Sequence, residues 1–276
     1  MADQPGALCG VLGYPVGHSR SPAIQAAAFR SAGLDWRYVK LPVRPELFEE
    51  TVRALPASGY RGANVTIPHK LAALGVADRA SPAAAAIGAA NTLSFVDGRI
   101  EADNTDASGL LDALDRPVTG LRALVLGAGG AGRAAAWALR EAGAARVTVW
   151  NRTGERAEAL ARELEVAAAP RLEPADLLVN ATSVGLDPAV GEQDALAALG
   201  LDGTDPPGLV VDLVYTQDGS ETPVAAWASR GGAEVIDGLE VLVRQGALSF
   251  SLWTGLRAPL DAMRSAARSE RPETAP

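Results

Sequence analysis

With 276 residues, 48% hydrophobic and 21% charged, the chain has enough apolar material for two ordinary domains. A formal net charge of −8 argues against a nucleic-acid surface, which needs a concentrated excess of Lys and Arg, so an anionic ligand must be met by a local basic site. One cysteine, Cys9, excludes an intrachain disulfide framework, and the two histidines, His18 and His69, form no cluster with metal-ligand spacing.

The expectation is a reducing compartment and no metal. No basic segment followed by an apolar stretch opens the chain, so no secretory signal is read and a cytoplasmic location is expected. The alanine-rich run SPAAAAIGAAN, 81–91, is too short for the roughly 20 apolar residues of a membrane span.

From residue 8 the pattern alternates. LCGVLG (8–13) reads as strand, SPAIQAAAFRSAG (21–33) as helix, WRYVKLPV (36–43) as strand and PELFEETVRALPASG (45–59) as helix. GANVTIPHK (62–70) follows as a strand whose Asn64 and Thr66 share one face and Val65 and Ile67 the other, stopped by Pro68 just before His69 and Lys70. Two polar strand residues and a cation thus gather near one strand end. Such β and α alternation implies a parallel α/β layer, whereas NTLSFVDGRIEADNTD (91–106) carries two short runs around Asp97-Gly98 that suit a hairpin.

A second alternation starts near residue 121, with strands LRALVLG, ARVTVW, DLLVNAT and GLVVDLV and helices AGRAAAWALREAG and GERAEALARELE. That is a second α/β domain. The stretches 239–255 and 259–268 read as two helices that do not extend its sheet, and SERPETAP (269–276) as a disordered tail.

The strongest local signal is LVLGAGGAG, 124–132, where Gly127, Gly129 and Gly132 satisfy GxGxxG between a strand and a helix. The first glycine permits the tight turn, the second lets backbone approach a pyrophosphate, and the third allows close helix packing beside an N-terminus that favours anions. At the end of the next strand an NAD site would carry an acidic residue for the ribose 2′-hydroxyl. Asn151-Arg152-Thr153 stands there instead, with Arg156 one helical turn on, so two guanidinium groups can bracket a 2′-phosphate and NADP is preferred. Taken singly, the other polar residues read plainly: Ser19 or Ser21 as a helix cap, Asp106 as the N-cap of ASGLLDAL, Lys70 as a solvated lysine.

Together the segments resemble the shikimate dehydrogenase family from about residue 10 to about residue 257. The matching runs are GHSRSP (17–22), GANVTIPHK, GAANTL (88–93), DNTDASG (103–109), GAGGAG, NRT, NATSVG (180–185), DLVY (212–215), ETP (221–223) and QGALSFSLWTG (245–255). The resemblance implies NADPH-dependent reduction of 3-dehydroshikimate to shikimate, a step toward the aromatic amino acids, with Lys70 and Asp106 as the catalytic acid–base pair. It also implies that Ser19, Ser21 and Tyr215 contact the substrate carboxylate, while Asn64, Thr66, Asn91, Asp106 and Gln245 hold its hydroxyl groups. For the cofactor it implies Gly127, Ala128, Gly129, Gly130, Ala131, Asn151, Arg152, Thr153, Arg156, Thr182 and Gly238.

In architecture the family implies a substrate domain, 1–102 plus 239–276, and a Rossmann-type NADP domain, 103–238, acting as a monomer or homodimer. Val241 stands where the family often has methionine near the nicotinamide, and Gly132 and Gly246 where alanine is more usual. Two other readings stay open: a quinate or broader dehydrogenase with NAD, which the arginines oppose, and a non-catalytic shikimate sensor, which would be expected to lack Lys70 or Asp106.

Overall fold

The computed structural model describes residues 6–187, 189–216 and 218–269; the rest of the expected disordered tail, from residue 270, lies outside them. The chain divides into two compact units, Met1–Thr105 with Leu242–Pro276, and Asp106–Val241.

In the first unit the elements run β1 (Leu8–Gly13), α1 (Ser21–Ser31), β2 (Arg37–Pro42), α2 (Phe48–Ala54), β3 (Tyr60–Val65), α3 (Lys70–Val76), β4 (Arg79–Ala80), α4 (Pro82–Ile87), β5 (Thr92–Val96) and β6 (Arg99–Asp103). They build a six-stranded mixed sheet of order β2-β1-β3-β5-β6-β4. The β1–β2 and β1–β3 pairs are parallel, while β3–β5 and the β5–β6 hairpin are antiparallel. Asp97 and Gly98, both at positive φ, make the expected hairpin turn.

Two local expectations are corrected. The predicted helix 45–59 is broken into a 3-10 turn, α2 and a second 3-10 turn at Pro56–Ser58, because Pro56 lacks the N–H a continuing helix needs. Strand β3 stops at Val65, so the alternation does not reach Ile67, which is 51% exposed rather than facing a core.

Period-2 alternation gives this sheet two buried faces. Cys9 and Val11 of β1 pack with α1 and the two C-terminal helices, α10 (Gly238–Thr254) and α11 (Leu260–Arg268), while Leu12 faces Phe48 and Val52 of α2. Helix α10 enters this unit at Leu242 and is locked to it by Trp253, whose indole N–H donates to Leu93 O at 3.0 Å. The ring packs against Gly62, where a Cβ would sit 2.1 Å from Trp253 Nε1. A side chain on that strand position would push the helix off.

The remaining elements are α5 (Thr105–Leu114), which starts at the unit boundary, then β7 (Arg122–Leu126), α6 (Gly130–Glu141), β8 (Arg146–Trp150), α7 (Gly154–Glu163), β9 (Ala167–Ala168), β10 (Leu177–Asn180), α8 (Glu192–Leu199), β11 (Leu209–Asp212), α9 (Pro223–Arg230) and β12 (Glu234–Ile236). Their sheet is wholly parallel, ordered β12-β11-β10-β7-β8-β9. Chain direction along the sheet reverses between β7 and β10, the switch point where doubly wound sheets bind nucleotides.

Both faces of this sheet are covered. Val125, Val149, Val179 and Val211 pack on α5, α6 and α7, and Leu124, Leu126, Leu178 and Val210 on α8 and α9. Among the described residues no helix is long and apolar enough to cross a membrane.

Candidate active site

In the first unit Ser19 and Ser21 are 9% and 7% exposed, at the end of the turn after β1. Neither hydroxyl caps α1, whose first turn is opened by Pro22 without a side-chain cap. Instead Ser19 Oγ accepts the Ser21 N–H at 3.3 Å, and Ser19 N–H donates to Val16 O at 3.1 Å. The turn is pinned on both sides. The Lys40 ammonium donates to Gly17 O, and Arg20 Nη1 donates to Ala267 O (2.9 Å) and Ser269 O (3.0 Å) at the end of α11.

Beyond β3, Thr66 N–H continues the pairing to Leu12 O at 2.9 Å, and His69 turns inward. His69 stacks on Phe48 at 4.5 Å and binds Val43 O through Nε2 at 2.7 Å, so it is a packing residue, and burial lowers its pKa. Lys70 follows as the first residue of α3, half-buried, its carbonyl accepting Ala90 N–H at 2.8 Å.

Beside it lies a buried polar cluster that joins three of the predicted site residues, Asn64, Asn91 and Gln245. Asn64 Nδ2 donates to Ser249 Oγ (2.8 Å) and Thr92 Oγ1 (3.1 Å) and lies 3.3 Å from Asn91 O, while Asn64 Oδ1 accepts from Tyr38 Oη at 2.8 Å. Asn91 Oδ1 accepts Thr105 N–H at 2.7 Å, and Asn91 Nδ2 donates to Thr105 Oγ1 (3.0 Å) and Gln245 Oε1 (3.2 Å). Thr92 and Ser249, both fully buried, meet at 2.9 Å. In such low-dielectric surroundings each bond supports its neighbours, and an orphaned member costs more than the bond it made.

Tyr38, Thr92, Thr105 and Ser249 were not among the residues expected at the site. Thr92, Thr105 and Ser249 lie inside the matching runs, and Ser249 alone carries a spacing signal: Gln245 and Ser249, four apart on α10, share a face and bond through Ser249 Oγ to Gln245 O at 3.1 Å. Asp106 follows Thr105 directly. It lies in the first turn of α5 and not at its N-cap, since the helix already includes Thr105; a carboxylate there complements the helix dipole.

In the second unit the glycine-rich turn has the geometry its spacing predicts. Gly127 sits at φ +107°, and a Cβ there would approach Ala181 O to 2.9 Å. At Gly132 a Cβ would fall 2.0 Å from Gly127 O, so this chain cannot take alanine there without shifting the turn. At Gly129 a Cβ would meet nothing within 4 Å, leaving room beside the N-terminus of α6.

Ala128, Gly130 and Ala131 complete that turn and helix start. Asn151 ties it to the neighbouring loop, accepting Ala128 N–H at 3.3 Å and donating to Thr153 O at 2.9 Å. Arg152 and Arg156 are both exposed, and among the described residues neither guanidinium has a hydrogen bond or ion pair. These groups fit a pyrophosphate and a 2′-phosphate: open backbone, helix N-terminus and two uncommitted cations.

Thr182 follows β10 and Tyr215 follows β11, both half-buried. Gly238 opens α10, where a Cβ would strike Val214 O at 2.5 Å. Val241 is buried in the core of this unit with Val179 and Val211.

The shikimate dehydrogenase substrate-binding domain matches residues 11–93, the shikimate/quinate 5-dehydrogenase model 112–213, and the shikimate 5′-dehydrogenase C-terminal domain 238–268. A shikimate dehydrogenase (NADP+) of Methanothermobacter thermautotrophicus is 42% identical, over 94% of this chain and 95% of its own length. The chain belongs to the shikimate dehydrogenase family.

Among family structures, that of the Thermus thermophilus shikimate 5-dehydrogenase in complex with NADP(H) and shikimate superposes with a TM-score of 0.82 at 43% identity, covering 95% of this chain and 98% of that one. The Aquifex aeolicus shikimate dehydrogenase superposes with a TM-score of 0.87 at 34% identity, covering 98% of this chain and 100% of that one.

Proposed function

We propose that the protein carries out the reversible NADPH-dependent reduction of 3-dehydroshikimate to shikimate, with Lys70 and Asp106 as its acid–base pair. The observation that carries this reading is the likeness, over nearly the whole chain, to the Thermus enzyme held with NADP(H) and shikimate. NADPH supplies the hydride to the ketone carbon. Lys70 Nζ donates the proton to the oxygen that becomes an alkoxide, and the Asp106 carboxylate accepts a hydrogen bond from the adjacent substrate hydroxyl.

Ser19, Ser21 and Tyr215 take the substrate carboxylate through neutral hydroxyl donors, and Thr66, Asn91 and Gln245 take ring hydroxyls. Asn64, already bonded on both amide atoms, offers a substrate hydroxyl only the remaining lone pair of its Oδ1. Thr182 and Gly238 border the nicotinamide, while Gly127–Ala131 hold the pyrophosphate and Asn151, Arg152, Thr153 and Arg156 the 2′-phosphate side. The enzyme acts in the cytoplasm as a monomer or homodimer.

The test is an absorbance assay of cofactor reduction crossing shikimate and quinate with NADP+ and NAD+. Shikimate with NADP+ should give the highest kcat/KM; equal rates with quinate and NAD+ would install the broader dehydrogenase, and no turnover with any pair would install a sensor.

A further inference from the structure

Asp212, at the end of β11, is 1% exposed and is the only carboxylate buried among the described residues. No step of the proposed reaction uses it. Burying a charge is costly unless it is fully hydrogen-bonded, and an apolar residue of similar volume would fill a strand end without that cost. Here three donors meet it: Asn180 Nδ2 at 2.8 Å and Val214 N–H at 3.1 Å on Oδ1, and Thr222 Oγ1 at 2.5 Å on Oδ2. Burial pushes its pKa up to about 6, and those three bonds hold it down against that rise.

Each donor leads to a loop named in the site. Asn180 Oδ1 accepts both the hydroxyl (2.8 Å) and the N–H (3.2 Å) of Thr182, and Asn180 O accepts Leu213 N–H at 3.0 Å. Val214 directly precedes Tyr215, and the Val214 and Leu213 carbonyls are the atoms against which Gly238 packs, 2.5 and 2.8 Å from where a Cβ would be. Thr222 closes the far end of the Tyr215 loop and caps α9 by accepting Ala225 N–H at 3.2 Å.

We propose that Asp212 is a positioning residue of this enzyme, its carboxylate fixing in one arrangement the two loops that present Thr182 to the cofactor and Tyr215 to the substrate. The inference rests on the proposed roles of Thr182 and Tyr215. A group that served stability alone would set how much protein folds; one that sets loop geometry also sets the constants of the folded protein.

The experiment compares wild type, Asp212→Ala and Asp212→Asn in thermal unfolding, NADP+ and shikimate KM, and kcat per folded molecule. Asp212→Ala is expected to raise both KM values about tenfold and lower kcat at least tenfold. Asp212→Asn, which keeps an acceptor for Asn180 Nδ2 and Val214 N–H, should return to within about threefold of wild type. An Asp212→Ala protein with lowered Tm but both KM values and kcat within about twofold of wild type would overturn the inference and leave the proposed function standing.

Should Asp212→Ala not fold, Thr222→Val removes the donor on Oδ2, together with the α9 cap, and leaves both bonds on Oδ1 in place. It should raise the shikimate KM at least about threefold while moving the NADP+ KM less, because the arm to Thr182 runs through Asn180 on Oδ1; unchanged values for both overturn the inference. Wild-type protein that neither bound NADP+ nor oxidised shikimate would bring down the proposed function and this inference together.

Discussion

The two units present their proposed binding residues by opposite means. In the first, Asn64, Asn91 and Gln245 are at most 7% exposed and already bonded to Tyr38, Thr92, Thr105 and Ser249 before any ligand arrives. In the second, Arg152 and Arg156 stand exposed and, among the described residues, uncommitted, beyond a turn whose Gly129 faces open space. Orientation of a ring with several hydroxyls needs fixed donors and acceptors, so ordering is completed during folding. Recognition of a phosphate draws on charge and on the donor fork that a guanidinium carries in itself, so exposed arginines suffice. The difference predicts strongly coupled substitutions in one unit and separable, salt-sensitive ones in the other.

The largest expected effect separates chemistry from holding. Lys70→Ala removes the proposed proton donor and leaves the polar cluster intact, so kcat should fall by about 10² or more with a much smaller change in shikimate KM. Near-native turnover with weakened binding would make Lys70 a member of the holding cluster instead.

Next comes the packing that keeps α10 in the first unit. Gly62→Ala drives a methyl into the Trp253 indole and should lower unfolding free energy by about 3 kcal/mol in urea titration, taking shikimate affinity down with it. Unaltered stability would mean that the indole and α10 yield easily, and that the cluster is less rigid than its bonding implies.

On the cofactor side, Arg152→Ala should weaken NADP+ binding by about tenfold and NAD+ binding much less, since a charge-assisted contact at an exposed site stands near the lower end of its range. Equal loss with both cofactors would assign Arg152 to the fold. The smallest effect is a gain: at Gly246, inside α10, a Cβ would meet only ordinary contacts at 3.4 to 4.0 Å. Gly246→Ala should therefore raise stability by about 0.5–1 kcal/mol without altering KM.

Strands and helices with clear periodicity were legible before the structure: β1, β7, β8 and α7 lie within the predicted segments, and α6 starts one residue ahead of its own. The two-residue strands β4 and β9 were not, because two residues carry no period. Helix α4 had a readable signature, Ser81 before Pro82 and Gly88 at the left-handed end, but its alanines show no amphipathic stripe.

The glycine turn was legible because its chemistry is local, every contact lying within a strand, a turn and the next helix. The polar cluster was not, because Thr92 and Ser249 are unremarkable residues 157 positions apart whose meaning arises only when α10 docks on the first sheet. Asp212 was hidden for the same reason: its partners Asn180 and Thr222 come from the end of another strand and the far end of a loop.

Equilibrium binding of NADP+, NAD+ and shikimate as ionic strength rises from about 0.05 M to about 0.5 M tests the contrast between the units most directly. Neutral, buried donors should keep shikimate affinity within about twofold, while NADP+ affinity falls several-fold and NAD+ affinity falls distinctly less. Equal salt slopes for NADP+ and NAD+, or a shikimate slope as steep as that of NADP+, would contradict the account.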